Sequence, residues 1–186
     1  MIDTELDYKN DTDLYREFLK GDKEAFEIIV KRYRKSLIYF ITKYVKNIEA
    51  AEDIAQDAFL YIIINKKEYD FKYSLKTYLY TIAKCRAINY LKRQARFVDF
   101  KDEYIKEEKY DIDDIIIKNE QKQVIYNAVK ELKKEYQIVL ELKEMQGFNN
   151  KEICKILNKT MPQTKMLIYR ARKSLNKKLN KEESIC

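Results

Sequence analysis

The scarcity of glycine and proline is the feature that most constrains the fold of this chain. Its 186 residues include only two Gly and one Pro. These two residue types supply most of the tight turns that a sheet-rich protein needs. Lys, Ile, Glu and Leu are abundant instead. We therefore expect an all-α protein, with nearly all of the chain in helices.

Missing residue types exclude several classes of chemistry. The chain has no His, which excludes imidazole metal sites and histidine-based acid–base catalysis. Glycines at positions 21 and 147 alone cannot form a Gly-rich phosphate loop. The three cysteines, Cys85, Cys154 and Cys186, are odd in number and far apart, which predicts neither a disulfide framework nor a zinc cluster. We expect no cofactor, no metal and no enzymatic activity.

Hydropathy gives no sign of a membrane segment. The sequence contains no run of 18 apolar residues, and residues 1–13 are acidic and do not resemble a signal peptide. The prediction is a cytoplasmic protein without membrane insertion.

Charge is distributed unevenly along the chain. The net charge is +7, yet residues 99–114 carry eight acids against three lysines. By contrast, residues 72–96 hold seven Lys or Arg and no acid, and residues 165–181 hold seven more, also without an acid. Two separate acid-free basic stretches indicate a polyanionic partner that is contacted in two places.

The spacing of apolar residues and the helix signals predict the domain organisation. Helices are expected at 12–20, 22–46, 50–65, 74–96, 121–132 and 135–146, followed by a pair of shorter helices. The fold class is two small helical domains joined by an acidic linker. The boundaries are an N-terminal extension at 1–13, a first domain at 14–97, the linker at 98–118, a second domain at 119–180 and a tail at 181–186.

The third predicted helix has an unusual outer face. Its core face consists of Ile54, Ala55, Ala58, Tyr61 and Ile62. The opposite face mixes acids and an amide with aliphatic residues: Asp53, Gln56, Asp57, Leu60, Ile63 and Ile64. This composition is typical of a protein-binding surface. Alternatively, the helix is buried on all sides, with Ile63 and Ile64 beneath the following loop, although buried unpaired carboxylates would then be costly.

The fourth predicted helix and the loop before it combine positive charge with aromatic rings. The residues concerned are Tyr69, Phe71, Lys72, Tyr73, Lys76, Tyr78, Tyr80, Lys84, Arg86, Tyr90, Lys92, Arg93 and Arg96. Such surfaces bind single-stranded nucleic acid, because bases stack on rings while cations follow the phosphates. We expect Tyr78 and Tyr90 to be core residues, and Tyr69, Phe71 and Tyr73 to be free to contact a base.

Two short helices near the C-terminus carry paired capping signals. Asn149 and Glu152 form a potential capping box before the first helix, and Thr160 and Gln163 form a second one. Pro162 falls in the first turn of the second helix, where a missing N–H costs nothing. This arrangement predicts a helix-turn-helix motif.

The second of these helices separates into two faces. At 100° per residue, the side expected to pack inward carries Thr164, Ile168, Ala171, Leu175 and Leu179. The outward side carries Met166, Tyr169, Arg170, Lys173 and Lys177, with Lys165 at its rim. A solvated, lysine-rich helix is the plain alternative. The two capped helices at this spacing favour DNA binding.

An ordered set of motifs resembles a known family. Lys20–Phe26 (KGDKEAF), Ala51–Phe59 (AEDIAQDAF) and Tyr78–Ala83 (YLYTIA) resemble region 2 of the extracytoplasmic-function class of bacterial RNA polymerase sigma factors. Glu152-Ile153 and Tyr169–Leu175 (YRARKSL) resemble region 4 of the same proteins. The resemblance implies core RNA polymerase, double-stranded and melted promoter DNA, and an anti-sigma factor as partners. Its acidic linker would thread the polymerase channel.

The resemblance also implies roles for individual residues. Residues that would dock on a coiled coil of the largest polymerase subunit are Asp53, Gln56, Asp57 and Leu60. Residues that would capture the promoter −10 element are Tyr69, Phe71, Lys72, Tyr73, Ser74, Lys84, Cys85, Arg86 and Asn89. Residues that would read the −35 element in the major groove are Lys165, Met166, Tyr169, Arg170 and Lys173.

The sequence departs from the family pattern at several of these positions. Many members have Gly at the position of Phe71, Asn at that of Cys85 and Asp at that of Asn89. Met166 stands where Ser is frequent, and a thioether cannot hydrogen-bond a base edge as a hydroxyl does. A promoter sequence therefore cannot be transferred from a relative.

Two other function classes compete with a sigma factor. A stand-alone helix-turn-helix regulator would use the first domain for dimerisation or sensing. An enzyme acting on nucleic acid would need catalytic acids in the basic region, and residues 72–96 contain none.

Overall fold

A computed structural model describes the backbone of residues 9–98 and 120–183, and the side chains of residues 9–96 and 124–180. Within these ranges the chain is helical and has no strand, which confirms the all-α prediction. The chain divides into two compact units, as expected for two helical domains. The acidic segment 99–114, and all of the predicted linker except residue 98, lie outside the described residues.

Residues 9–98, the described part of the first unit, form four helices, and all four were predicted from the sequence. They are α1 (Asp11–Lys20), α2 (Lys23–Val45), α3 (Ile48–Ile64) and α4 (Leu75–Val98). The long α2 packs against the other three, and α3 also packs against α4. Because α1 begins at Asp11, its first turn includes the last three residues of the predicted extension.

Short-range side-chain bonds determine where these helices begin. The Asp22 carboxylate accepts hydrogen bonds from the backbone N–H groups of Glu24 and Ala25, at 2.9 and 3.3 Å. Gly21 separates α1 from α2 with a φ of +111°, a conformation that suits glycine. The break between α2 and α3 is shorter than predicted, because Asn47 caps α3 directly at Ile48 rather than at Ala50.

The second unit is built around its last helix. Its elements are α5 (Glu120–Lys130), α6 (Lys134–Leu140), a π-helical segment (Glu141–Met145), α7 (Asn150–Leu157) and α8 (Met161–Glu183). Helices α5, α6 and α7 all pack against α8. The final three residues of α8 extend into the predicted tail.

The π-helical segment corrects the prediction of one regular helix from Glu135 to Gln146. Its wider turn places Gln146 beside the buried Glu141, so that the Gln146 amide donates to the Glu141 carboxylate at 2.9 Å. Gly147 follows with a φ of +70°, and the Phe148 N–H donates to the Leu142 carbonyl at 3.0 Å. Both Leu142 and Phe148 are thereby buried.

The described residues show neither a membrane helix nor a metal cluster. No helix in 9–98 or 120–183 is long and apolar enough to cross a membrane. Across the same ranges, His, Cys, Asp and Glu side chains do not gather in groups of three that could hold a metal ion. Cys85 and Cys154 are free thiols, and the Cys154 Sγ donates to Thr164 Oγ1 at 3.2 Å.

Candidate protein and nucleic-acid interfaces

The outer face of α3 is exposed as predicted. Asp53, Gln56 and Asp57 are exposed, and half of the Leu60 surface is accessible to solvent. Ile63 and Ile64 are 43% and 70% exposed, so they do not pack beneath the following loop. The alternative of a helix buried on all sides is therefore wrong.

Concave surfaces lie on both sides of Leu60. One, between α3 and α4, is lined by Ala50, Asp53, Ile54, Gln56, Asp57, Leu60 and Tyr90. The other, between α2 and α3, is lined by Val30, Arg34, Ala55, Gln56, Phe59, Leu60 and Ile63. An aliphatic ridge flanked by two hollows and rimmed by carboxylates can receive apolar and cationic side chains of a partner.

Asp57 has an ion-pair partner on the neighbouring helix. The Arg86 guanidinium lies 3.6 Å from the Asp57 carboxylate and 5.2 Å from the centroid of the Tyr61 ring. The Asp57 side chain is 63% exposed, and such solvated pairs contribute little to stability. The pair thus connects the predicted protein-binding helix α3 with the predicted DNA-binding helix α4, and breaking it costs little free energy.

The predicted −10 residues lie on α4 and on the loop 65–74 that precedes it. Lys72, Tyr73 and Ser74 are exposed, and the Phe71 ring is 43% exposed. On α4, Cys85 and Asn89 are exposed one turn apart, while Lys84 and Arg86 are partly exposed. Ser74 also caps α4, since its Oγ accepts from the Thr77 N–H at 3.2 Å.

Tyr69 is not free to contact a base, and the prediction that it would be is wrong. The side chain is only 6% exposed, and its hydroxyl donates to the Tyr73 carbonyl at 2.6 Å. Its ring lies 4.8 Å from that of Tyr15, 4.8 Å from Phe71 and 5.4 Å from Tyr78. Burial raises the pKa of Tyr69 to about 12. The buried Tyr69 side chain thus forms the interior of the loop. The exposed aromatic rings of the loop are those of Phe71 and Tyr73.

The core tyrosine of α4 is Tyr80 rather than Tyr78 or Tyr90. Tyr80 is fully buried, its ring lies 5.0 Å from Phe40, and its hydroxyl donates to Ser36 Oγ at 3.1 Å. Tyr78 and Tyr90 are only partly buried. The four-residue spacing of the buried Leu75, Leu79, Ala83 and Ala87 was the sequence signal that could have identified this face.

The helix-turn-helix prediction is confirmed in the second unit. The Asn149 side chain accepts from the Glu152 N–H at 3.0 Å, and the Glu152 carboxylate accepts from the Asn149 N–H at 2.9 Å. Thr160 and Gln163 form the same reciprocal pair at 3.4 and 2.9 Å. Between the helices, Asn158 adopts a left-handed conformation with a φ of +54°.

The two faces of α8 are those predicted. Thr164, Ile168 and Ala171 are buried, whereas Leu175 and Leu179 are partly buried. Leu167 is also buried, although the sequence did not predict it to lie on the inward side. The residues that project into solvent are Lys165, Met166, Tyr169, Arg170, Lys173 and Lys177, with Met166 at 49% and Tyr169 at 61% exposure.

Family models match both units. Residues 29–97 match Sigma-70 region 2, and residues 122–175 match Sigma-70, region 4. The two matches follow the order in which the motifs were found.

Curated relatives are similar over most of their length. The RNA polymerase sigma-H factor of Pseudomonas aeruginosa is 24% identical over 94% of this chain and 96% of its own. The RNA polymerase sigma factor YlaC of Bacillus subtilis is 26% identical over 86% and 94%. The ECF RNA polymerase sigma-E factor of Escherichia coli strain K12 is 25% identical over 86% and 89%.

Solved structures share the fold. The sigma factor RpoE in complex with the anti-sigma factor NepR, from Bartonella quintana, matches with a TM-score of 0.65 at 19% identity, over 83% of this chain and 96% of that one. CnrH in complex with the cytosolic domain of CnrY matches with a TM-score of 0.64 at 18% identity, over 91% and 97%. The solved structures show the fold, and the region 2 and region 4 matches together with the curated relatives show that the chain belongs to the sigma-70 family of RNA polymerase sigma factors, as a two-region member of the extracytoplasmic-function type.

Proposed function

We propose that this chain is an alternative sigma factor that directs core RNA polymerase to promoters through −10 and −35 recognition and assists melting. The observation that carries the proposal is the region 2 unit. There, an acidic and aliphatic face on α3 adjoins a basic and aromatic face on the loop 65–74 and α4. Such a unit can hold a protein partner and melted DNA together.

The polymerase-binding face consists of Asp53, Gln56, Asp57 and Leu60. Leu60 offers apolar surface to be buried, and the exposed carboxylates favour a cationic partner surface. Asp57 can exchange its solvated pair with Arg86 for a polymerase cation, because the pair is weak.

Melted −10 DNA would be held by the exposed rings of Phe71 and Tyr73, with Lys72, Lys84 and Arg86 near the phosphates. Base–aromatic stacking contributes roughly 1–3 kcal/mol per base. Opening is then driven by binding energy, since extruded bases gain protein contacts that replace their lost stacking. The chain contributes no catalytic step in this scheme, so we propose a transcription initiation factor and not an enzyme.

The −35 element would be read by α8. Lys165 lies at the start of the second turn of α8, close to the N-terminal end that Thr160 caps, where recognition helices reach base edges. Arg170 and Lys173 supply cations along the exposed face, and Met166 and Tyr169 offer apolar contact to a thymine methyl.

An anti-sigma factor is a further proposed partner. The matched RpoE structure contains the anti-sigma factor NepR, and the matched CnrH structure contains the cytosolic domain of CnrY. A chain with the same fold can bind a partner of this kind. Because a sigma factor works where core polymerase is present, we also propose a cytoplasmic location.

The decisive experiment measures core binding and promoter-directed transcription by a charge-reversed variant. We expect Asp53→Lys with Asp57→Lys to abolish core binding and run-off transcription while helicity, measured by circular dichroism, is retained. The matched control is Glu24→Lys with Glu27→Lys, which makes the same charge change on an exposed part of α2. Undiminished core binding by the first variant would refute the α3 assignment.

The same preparation tests the stand-alone regulator. A regulator of that kind binds promoter duplex tightly without polymerase, whereas a sigma factor requires the core. Tight, sequence-specific duplex binding by the free chain, together with no stimulation of core transcription on genomic fragments, would contradict the sigma-factor proposal.

A further inference from the structure

Helix α1 contacts the loop 65–74, and one of its contacts is a hydrogen bond from a tyrosine hydroxyl group. The Tyr15 side chain is fully buried, and its hydroxyl donates to the Lys66 carbonyl at 2.9 Å across 51 positions of sequence. A tyrosine hydroxyl keeps its proton and is a donor at neutral pH, and burial raises the pKa of Tyr15 further. The start of the loop is therefore held by a residue outside the loop and outside α4.

The Tyr15 ring also supports the aromatic residues of the loop. It meets Tyr69 edge to face at 4.8 Å and Phe71 at 6.1 Å between ring centroids. Tyr69 in turn contacts Phe71 at 4.8 Å. One side of the Phe71 ring is thus packed on a buried aromatic cluster while 43% of the residue stays exposed.

The neighbouring Arg16 contacts Phe71 as well. Its guanidinium carbon lies 5.5 Å from the centroid of the Phe71 ring, within the range of a cation–π interaction. Arg16 is exposed, and its side chain is 60% accessible to solvent. Two consecutive residues of α1 therefore contact the same ring, one from the core and one from the solvent side.

We propose that Tyr15 and Arg16 are positioning residues that orient Phe71 for base capture, so that α1 determines how strongly the loop discriminates between bases. The inference rests on the proposed function of the loop in −10 binding. Stacking is tolerant of base identity, so selectivity requires a ring held in one place against neighbouring polar groups. Without the Tyr15 hydroxyl, the Lys66 carbonyl loses its partner and the loop loses an anchor.

A core tyrosine could instead contribute only to stability. Tyr80 provides the comparison, since it is equally buried and its hydroxyl also donates to one partner, Ser36 Oγ, away from the loop. Tyr15→Phe and Tyr80→Phe each remove a single oxygen and keep the ring. A stability role predicts similar consequences for both, whereas a positioning role predicts different base selectivity.

The experiment uses the full chain bound to core polymerase and a pool of single-stranded DNA with a short randomised window. Enrichment of one base over the others is measured by sequencing the bound fraction. We expect Tyr15→Phe to lower the strongest enrichment by about fivefold or more. Arg16→Ala should lower it less, and Tyr80→Phe should leave it unchanged. Total single-strand binding should persist in all three, because Lys72 and Lys84 remain.

Each outcome has a defined meaning. Wild-type selectivity in Tyr15→Phe, or an equal loss in Tyr80→Phe, would overturn the positioning role. If Tyr15→Phe fails to fold, Arg16→Ala decides, because it removes no buried group and must still reduce the enrichment. The proposed function of the loop fails separately if the wild-type complex shows no base preference, or if Phe71→Ala leaves the preference intact.

Discussion

The two proposed DNA-contacting structures of this chain are built from different kinds of contact. In the first unit, the loop 65–74 owes its shape to residues distant in sequence, as in the Tyr15 to Lys66 bond that spans 51 positions. In the second unit, the helix-turn-helix is defined by bonds that span three positions, such as those between Asn149 and Glu152. The loop has no regular secondary structure and depends on tertiary contacts. The helix-turn-helix consists of two helices whose ends are set by contacts between residues close in sequence.

This difference separates the sources of stability. Full burial of an aromatic side chain contributes roughly 1.5–3 kcal/mol, whereas a helix cap typically contributes about 1 kcal/mol. Damage to the interior of the loop should therefore destabilise the whole first unit. Removal of a cap should lower the stability of the second unit only modestly. Its main effect should be on DNA recognition by the helix-turn-helix.

The largest expected effect is that of Tyr69→Ala. Removing a buried ring with three aromatic neighbours should lower the free energy of unfolding of the first unit by about 3–5 kcal/mol. Urea unfolding of the full chain measures this quantity. The control is Tyr73→Ala, which removes the same side chain from a site 43% exposed. Equal losses for the two variants would mean that the loop is not organised from its interior.

Alkaline pH should affect the first unit next most strongly. Burial raises the pKa of Tyr69 from 10.0 to about 12, so the folded state disfavours the phenolate. The resulting stability is fully present below pH 10 and is lost as pH rises toward 12. Thermal unfolding across this range measures the loss, and Tyr69→Phe should reduce its pH dependence. An unaltered dependence in Tyr69→Phe would contradict the assignment.

Substitution of two lysines of α8 should have different effects, one on the preferred DNA sequence and the other on overall affinity. Losing a base contact costs about 1–3 kcal/mol at one position, whereas losing a phosphate contact weakens all sequences alike. We expect Lys165→Ala to change the preferred −35 sequence, and Lys173→Ala to lower transcription from every promoter with the preference kept. Transcription from a library of randomised −35 elements tests both. An unchanged preference in Lys165→Ala, or a changed one in Lys173→Ala, would reverse the assignment of the two residues.

Loss of a cap should have the smallest effect of the four. Asn149→Ala removes a hydrogen bond of 3.0 Å and should lower the stability of the second unit by about 1 kcal/mol. Thr160→Ala should lower it less, because the bond that it removes is 3.4 Å long. Urea unfolding provides the measurement. A larger loss for Thr160→Ala than for Asn149→Ala would show that cap geometry does not rank the two sites.

The same difference explains what could be predicted from the sequence. The caps at Asn149 and Thr160 were found because both partners of each bond lie within three residues. The exposed face of α3 was predicted because the spacing of apolar residues within one helix is enough to separate its buried face from its exposed face. The burial of Tyr69 was missed because it depends on Tyr15, which the sequence places far away. The π-helical segment was missed because the apolar spacing of residues 135–146 predicts a helix but does not specify the hydrogen-bond pattern of each turn.

The π-helical segment has a consequence for the length of the chain. A π turn closes its hydrogen bonds one residue later than an α turn does, so Glu141–Met145 contains one residue of spare length. Deleting a residue there would convert the turn to a regular one without moving its two ends apart. The connection between α6 and α7 can therefore lose one residue while Gly147, Phe148 and the Asn149 cap keep their places.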